Sequence, residues 1–109
     1  MRPWIAASAF LLLAGLAMPA TAEDEFHLTI KDHRFQPERL EVPAGVKFKI
    51  TVSNEDATAE EFESHSLHRE KIVPAKGQIP VFLGPLQKGE YKFFGDFHQK
   101  TAQGVLVVK

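Results

Sequence analysis

The sequence predicts an all-β sandwich of about six to eight short strands, and three observations carry that expectation. Apolar and polar residues alternate with period two in residues 25–31 and again in 46–52, the pattern of strands buried on one face. The remaining apolar runs, residues 91–94 and 105–108, are short and dominated by aromatic and β-branched side chains, which favour extended chain. Turn-forming residues recur at close spacing, in Pro43-Ala44-Gly45, in Pro74-Ala75-Lys76-Gly77 and between Gly84 and Gly89, as between the short strands of a sandwich.

Taken in order, residues 1–22 read as a secretory signal. Arg2 gives a positive start, an apolar stretch runs from Ile5 to Met18, and Ala20-Thr21-Ala22 supplies small residues for cleavage. The apolar stretch falls short of the roughly 20 residues of a membrane span, so the mature chain, 23–109, is expected to have no stable membrane insertion and to act in the periplasm. It forms one small domain, without internal repeats or low-complexity segments. The full chain carries 13 basic and 14 acidic side chains, a balance that argues against nucleic acid, whose phosphates select a basic excess. There is no cysteine, so packing, hydrogen bonds and any bound metal must hold this exported domain together.

Residues 25–31 form the first expected strand, with Phe26, Leu28 and Ile30 inward and His27 outward. Asp32-His33-Arg34 breaks the alternation, and His33 reads as a loop histidine. Phe35 and Leu40 follow as isolated apolar anchors around Pro37. The segment 46–52 is the cleanest alternation, with Val46, Phe48, Ile50 and Val52 on one face. A polar loop, 53–59, leads to 60–73, and residues 78–83 form a further strand that Pro80 places at a sheet edge or makes irregular.

Two stretches carry chemistry. The first is Glu60-Glu61-Phe62-Glu63-Ser64-His65-Ser66-Leu67-His68. If extended, Glu61, Glu63 and His65 share one face; if helical, Glu61, His65 and His68 do, and the local sequence does not choose between them. The second is the loop between the last two strands, where Asp96 and His98 stand one residue apart. Carboxylates and imidazoles are the only metal-ligating types left, because the two methionines, Met1 and Met18, lie within the expected signal. Such donors suit divalent Cu, Fe, Mn or Zn. No Ser or Cys nucleophile stands in a recognisable hydrolase setting.

The span F-x-P-x-x-L-x-V-P-A-G (Phe35 to Gly45), the strand after it and the ligand loop closed by Gly104-Val105-Leu106-Val107 resemble the cupredoxin-like domains over nearly all of the mature chain. The resemblance implies a Greek-key β-sandwich with metal ligands before the middle strand and in the C-terminal loop. It sets Glu61 at the first ligand position. Counting back from Gly104, it sets Asp96 at the thiolate position, His98 one residue short of the second imidazole and Ala102 near the axial thioether. A blue-copper centre needs the thiolate and is excluded.

Among cupredoxin-like proteins the E-F-E segment and D-x-H loop resemble the small periplasmic cupredoxin of bacterial ferrous-iron uptake systems. That resemblance implies binding of Cu(II) and Fe(II)/Fe(III), with possible oxidation of Fe(II) by a bound Cu(II). It also implies a periplasmic iron-binding protein and an inner-membrane iron permease as partners. The expected main site is Glu61, Asp96 and His98, with Glu63, His65 and His68 adjacent or shared. Two other classes stay open: a periplasmic Cu(II) chaperone or storage module, and an interaction domain that has lost its metal.

Overall fold

The computed structural model describes residues 24–109, so the expected signal segment, 1–22, lies outside the described residues. Among the described residues, nine strands form two sheets. The four-stranded sheet has the order β2-β1-β4-β7, built from β1 (Asp24–Lys31), β2 (Arg34–Gln36), β4 (Phe48–Asn54) and β7 (Gln78–Leu83). The five-stranded sheet has the order β3-β9-β8-β5-β6, built from β3 (Arg39–Val42), β5 (Glu60–Ser64), β6 (Arg69–Val73), β8 (Gly89–Gly95) and β9 (Gln103–Val108). The only helical element among the described residues is a single 3₁₀ turn, Asp96–His98.

The count exceeds the expected six to eight because Phe35 and Leu40 are strand residues. Each sits in a strand of three or four residues, too short for periodicity to reveal: β2 pairs antiparallel with β1, and β3 pairs parallel with β9. Pairing with a partner strand, the neighbouring β1 for β2 and the distant β9 for β3, decides such segments. Val46 differs as well. It precedes β4 and is 39% exposed, whereas Phe48, Ile50 and Val52 are buried as the alternation requires. Pro80 lies in β7, an edge strand, where a missing N–H costs no ladder bond.

Between the sheets, Phe35, Phe62 and Phe93 pack as a buried aromatic cluster, Phe35 meeting Phe93 edge-on with centroids 4.9 Å apart. These rings fix the inner face of β5. With Phe62 inward, period two drives Glu60 and Ser64 inward too and turns Glu61 and Glu63 outward. Ser64 is satisfied by donating to the Lys92 carbonyl at 2.6 Å. Glu60, a buried carboxylate, demands partners, and they come from the loops at this end of the sandwich.

Candidate metal centre at the loop end

Glu60 opens β5 and is 1% exposed. Its Oε1 accepts hydrogen bonds from the amides of Glu61, at 2.9 Å, and Phe97, at 2.8 Å. Its Oε2 lies 2.7 Å from Nδ1 of His98. The carboxylate thus meets three partners, two backbone amides and the His98 ring. The 3₁₀ turn delivers both the Phe97 amide and the His98 ring, and it is closed by the Ala102 amide donating to the His98 carbonyl at 2.9 Å.

Gly95, the last residue of β8, packs into the same place. A Cβ there would lie 2.6 Å from the Glu60 carboxylate and 2.7 Å from Cβ of Ala102. Glu60, Gly95, His98 and Ala102 thus converge. The residue facing this centre is Gly95, one position before Asp96, and the inward glutamate is Glu60, one position before Glu61. The volume a side chain at position 95 would take is filled by the Glu60 carboxylate. A thiolate copper centre does not fit here, on donor type or on space; the donor the centre offers is the His98 imidazole.

On the opposite side of β5 the register sets Glu63 against Glu70 of β6 and Glu61 against Ile72. Glu61, Glu63 and Glu70 each present a carboxylate oxygen within 4.8 Å of the others. Asp96 follows Gly95, itself paired with Phe62, and so comes beside Glu61 across the β5–β8 ladder. Loss of hydration, reinforced by the neighbouring Glu70, Asp96 and Glu63 carboxylates, pushes the Glu61 carboxyl above its ordinary range. A shallow cleft of about 260 Å³, lined by Glu63, Ser64, His65, His68, Arg69 and Glu70, continues the acidic face. His65 is highly exposed, 3.9 Å from Glu63 and tilted against Phe94. His68 lies in the β5–β6 turn with φ +57.

The backbone settles the open alternative in favour of extended chain through Ser64, followed by a turn. Glu61, Glu63, Asp96, His65 and His68 share the outer side, while His98 is held by Glu60 on the inner side. Sequence reasoning missed Glu60, Glu70 and His33. Period two from Phe62 was a sufficient signal for Glu60. Glu70 needed the strand register, and His33 needed the tertiary fold.

His33 is not an isolated loop residue. The β1–β2 hairpin turns through Asp32 and His33, both left-handed with φ 53 and 57. Asp56 holds that turn: its Oδ1 accepts from the Asp32 amide at 2.8 Å and its Oδ2 from the His33 amide at 2.9 Å. The imidazole then stacks on His98, with centroids 3.6 Å apart and 17° between planes. Burial alone would raise the Asp56 carboxyl. The two amide bonds and the nearby His33 and His98 rings outweigh it and hold the group below its ordinary range.

Comparison with known proteins agrees with the two-sheet fold. The chain is 54% identical over 84 residues to RP394, an uncharacterised protein of Rickettsia prowazekii, covering 77% of this chain and 67% of that one. Its fold matches the metal-binding domain of the Cu(I)-exporting P-type ATPase CopA of Streptococcus pneumoniae D39 with a TM-score of 0.72, at 13% identity over 85% of this chain and 92% of that domain. It also matches auracyanin A, a "blue" copper protein of Chloroflexus aurantiacus, with a TM-score of 0.69 at 15% identity over 81% of this chain and 100% of that one. No helix among the described residues is long and apolar enough to cross a membrane. A family model described as the cupredoxin-like domain matches residues 4–108, and with the two-sheet sandwich and its loop-end centre the chain belongs to that family.

Proposed function

We propose that this chain is an exported metal-binding protein of ferrous iron uptake. In this reading it binds copper and iron in the periplasm and passes iron to a periplasmic iron-binding protein and an inner-membrane iron permease. The observation that carries the reading is the outer carboxylate set, Glu61, Glu63 and Glu70 within 4.8 Å, with Asp96 beside Glu61 and His65 and His68 along the adjoining cleft. Glutamates brought together on adjacent elements are established ligands of iron, and imidazole adds a donor that iron and copper both accept. Like charges held this close destabilise the metal-free face, and a bound cation relieves that repulsion. A Cu(II) ion bound on the same domain would supply a one-electron oxidant, itself reduced to Cu(I) as Fe(II) becomes Fe(III).

The test is calorimetric titration of residues 23–109 with Fe(II) under anaerobic conditions and with Cu(II), beside a Glu61→Gln/Glu63→Gln variant. Iron binding that falls at least ten-fold in the variant supports the reading and justifies an Fe(II) oxidation assay on the copper-loaded domain. Iron binding that is absent, or equal in both proteins, removes it. Copper binding alone selects the second reading, a periplasmic Cu(II) chaperone or storage module, which the carboxylate-backed imidazole of His98 favours.

A further inference from the structure

We propose that the outer face of the five-stranded sheet docks a partner protein through an arginine side chain of that partner. Phe94 is the wall on which the guanidinium stacks, and Glu63 and Glu70 are its carboxylate acceptors. The register lays these groups side by side. Phe94 stands opposite Gln103 of β9 and Glu63 of β5, and Glu63 stands opposite Glu70 of β6. Phe93 points into the core, so Phe94 faces outward. There it is half-buried and lines a cleft of about 430 Å³ together with His65, Lys92 and Gln103. His65 borders both this apolar cleft and the acidic one, so the two adjoin at that ring.

Charge complementarity selects a basic partner. Glu63 and Glu70 oppose each other directly across the β5–β6 ladder, and like charges so placed destabilise a sheet. Glu61 and Asp96 add to the same face. Among the described residues no lysine or arginine relieves them. The ion pairs of those residues lie elsewhere, Arg39 with Glu41 and Glu90, Lys49 with Glu25, and Lys109 with Glu41. Arg69 borders the acidic cleft, but its guanidinium donates to the carbonyls of Leu67, His68 and Phe82. Lys71 pairs with Phe62 and so takes the opposite side of β6. His65, 3.9 Å from Glu63, lies too far for a hydrogen bond.

The apolar neighbours select arginine among cations. A metal ion takes the carboxylates and leaves the aromatic wall unused, and an ammonium group is a compact point charge without a flat face. A guanidinium is planar. It forks onto a carboxylate with two N–H donors and lays its face on an aromatic ring. Glu63 and Phe94 are direct cross-strand neighbours, a pairing that sets Cβ atoms about 5 Å apart, so one side chain can meet both. Ile72, 50% exposed and opposite Glu61, gives an apolar flank on the β6 side for a partner's aliphatic stems. Lys92, two residues before Phe94 on the same face, repels a cation from the far end of the groove. An incoming arginine is thereby steered toward Glu63.

This docking face goes beyond the iron reading and does not rest on it. The two share carboxylates, so each is tested with the other's ligand absent. The experiment is NMR titration of metal-free, isotopically labelled residues 23–109 with the blocked peptide Ac-Ala-Arg-Ala-Arg-Ala-amide. It is run at about 0.15 M salt, where exposed charges are screened beyond roughly 8 Å. The amides of Glu63, Glu70 and Phe94 should shift most. The lysine counterpart should bind about three-fold more weakly, the margin that stacking on an exposed ring gives. Phe94→Leu keeps an apolar side chain in the cleft and should abolish that preference. Glu63→Gln/Glu70→Gln should weaken the arginine peptide at least ten-fold, and Glu25→Gln, on the outer face of the other sheet, should leave it unchanged. Equal affinity for the two peptides overturns the proposal, and that wild-type comparison decides even if a variant does not fold. So do shifts centred away from Phe94, or a Phe94→Leu protein that keeps the preference. A metal-free protein whose mass grows with concentration as the Phe94 amide shifts also overturns it, and assigns the face to a second copy. Arginine preference without iron binding upholds this face and removes the iron reading, and iron binding without arginine preference does the reverse.

Discussion

At the residue scale, Asp56 shows how one side chain organises a site it stands behind. It satisfies two amides in a turn that two left-handed, non-glycine residues would otherwise open. Asp56→Ala leaves those donors without their partner, and a loss of about 1–3 kcal/mol is expected, measurable by urea unfolding. The pH dependence has a definite sign. The folded carboxyl is held below its ordinary range, so the unfolded chain binds the proton more readily. The contribution is complete above the unfolded-state pKa and disappears as pH falls through the lower folded-state value. The wild-type advantage over Asp56→Ala should therefore shrink on acidification from pH 6 to pH 3, and an advantage that grew would contradict the clamp.

At the element scale, β5 is a divider. Phe62 locks its inner face to the aromatic cluster, so neighbouring glutamates, Glu60 and Glu61, serve opposite sides of one strand. The end of β8 is adapted to that arrangement. Gly95 leaves room for the Glu60 carboxylate, and the 3₁₀ turn that follows supplies its two remaining partners, the Phe97 amide and His98. Gly95→Ala would press a methyl group against that carboxylate and Ala102, and overpacking of this kind costs about 1–3 kcal/mol. The expected result is a lower thermal midpoint together with weaker Cu(II) binding, since displacing Glu60 also frees His98. Unchanged stability in this variant would mean that the loop end yields more readily than its close contacts indicate.

For the whole molecule, the outer face sets metal affinity against the stability of the metal-free fold. Glu61 titrates above its ordinary range because partial burial and the carboxylates around it disfavour its charge. The folded state therefore binds the proton more readily than the unfolded one, and stability falls as pH rises through this window. Glu61→Gln should raise the thermal midpoint of the metal-free domain at pH 7, and the gain should vanish near pH 4. The same variant should lose most of the stabilisation that added metal gives the wild type, which is about 2.7 kcal/mol at one hundred times Kd. A variant less stable than wild type without metal would show that Glu61 is a structural residue.

Much of this was legible in the sequence. Alternation located β1 and β4, β-branched and aromatic runs located β8 and β9, and the F-x-P-x-x-L-x-V-P-A-G span with the closing loop pointed to the family. The lack of cysteine alone excludes a thiolate centre. Those features are local, written in side-chain periodicity and donor type. Which residues meet is another matter. A shift of one position reverses the face of a strand, so Glu60 rather than Glu61 reaches His98, and Gly95 rather than Asp96 packs against it. Glu70 joins Glu61 and Glu63 only through the β5–β6 register. His33, far from His98 in the chain, meets it because the sandwich brings the β1–β2 turn to the same end. The sequence by itself determined the all-β class and the carboxylate and imidazole chemistry, because periodicity and composition are properties of the chain. Only the tertiary structure decided how those donors divide between two sides of β5, because register and distant turns are fixed by packing.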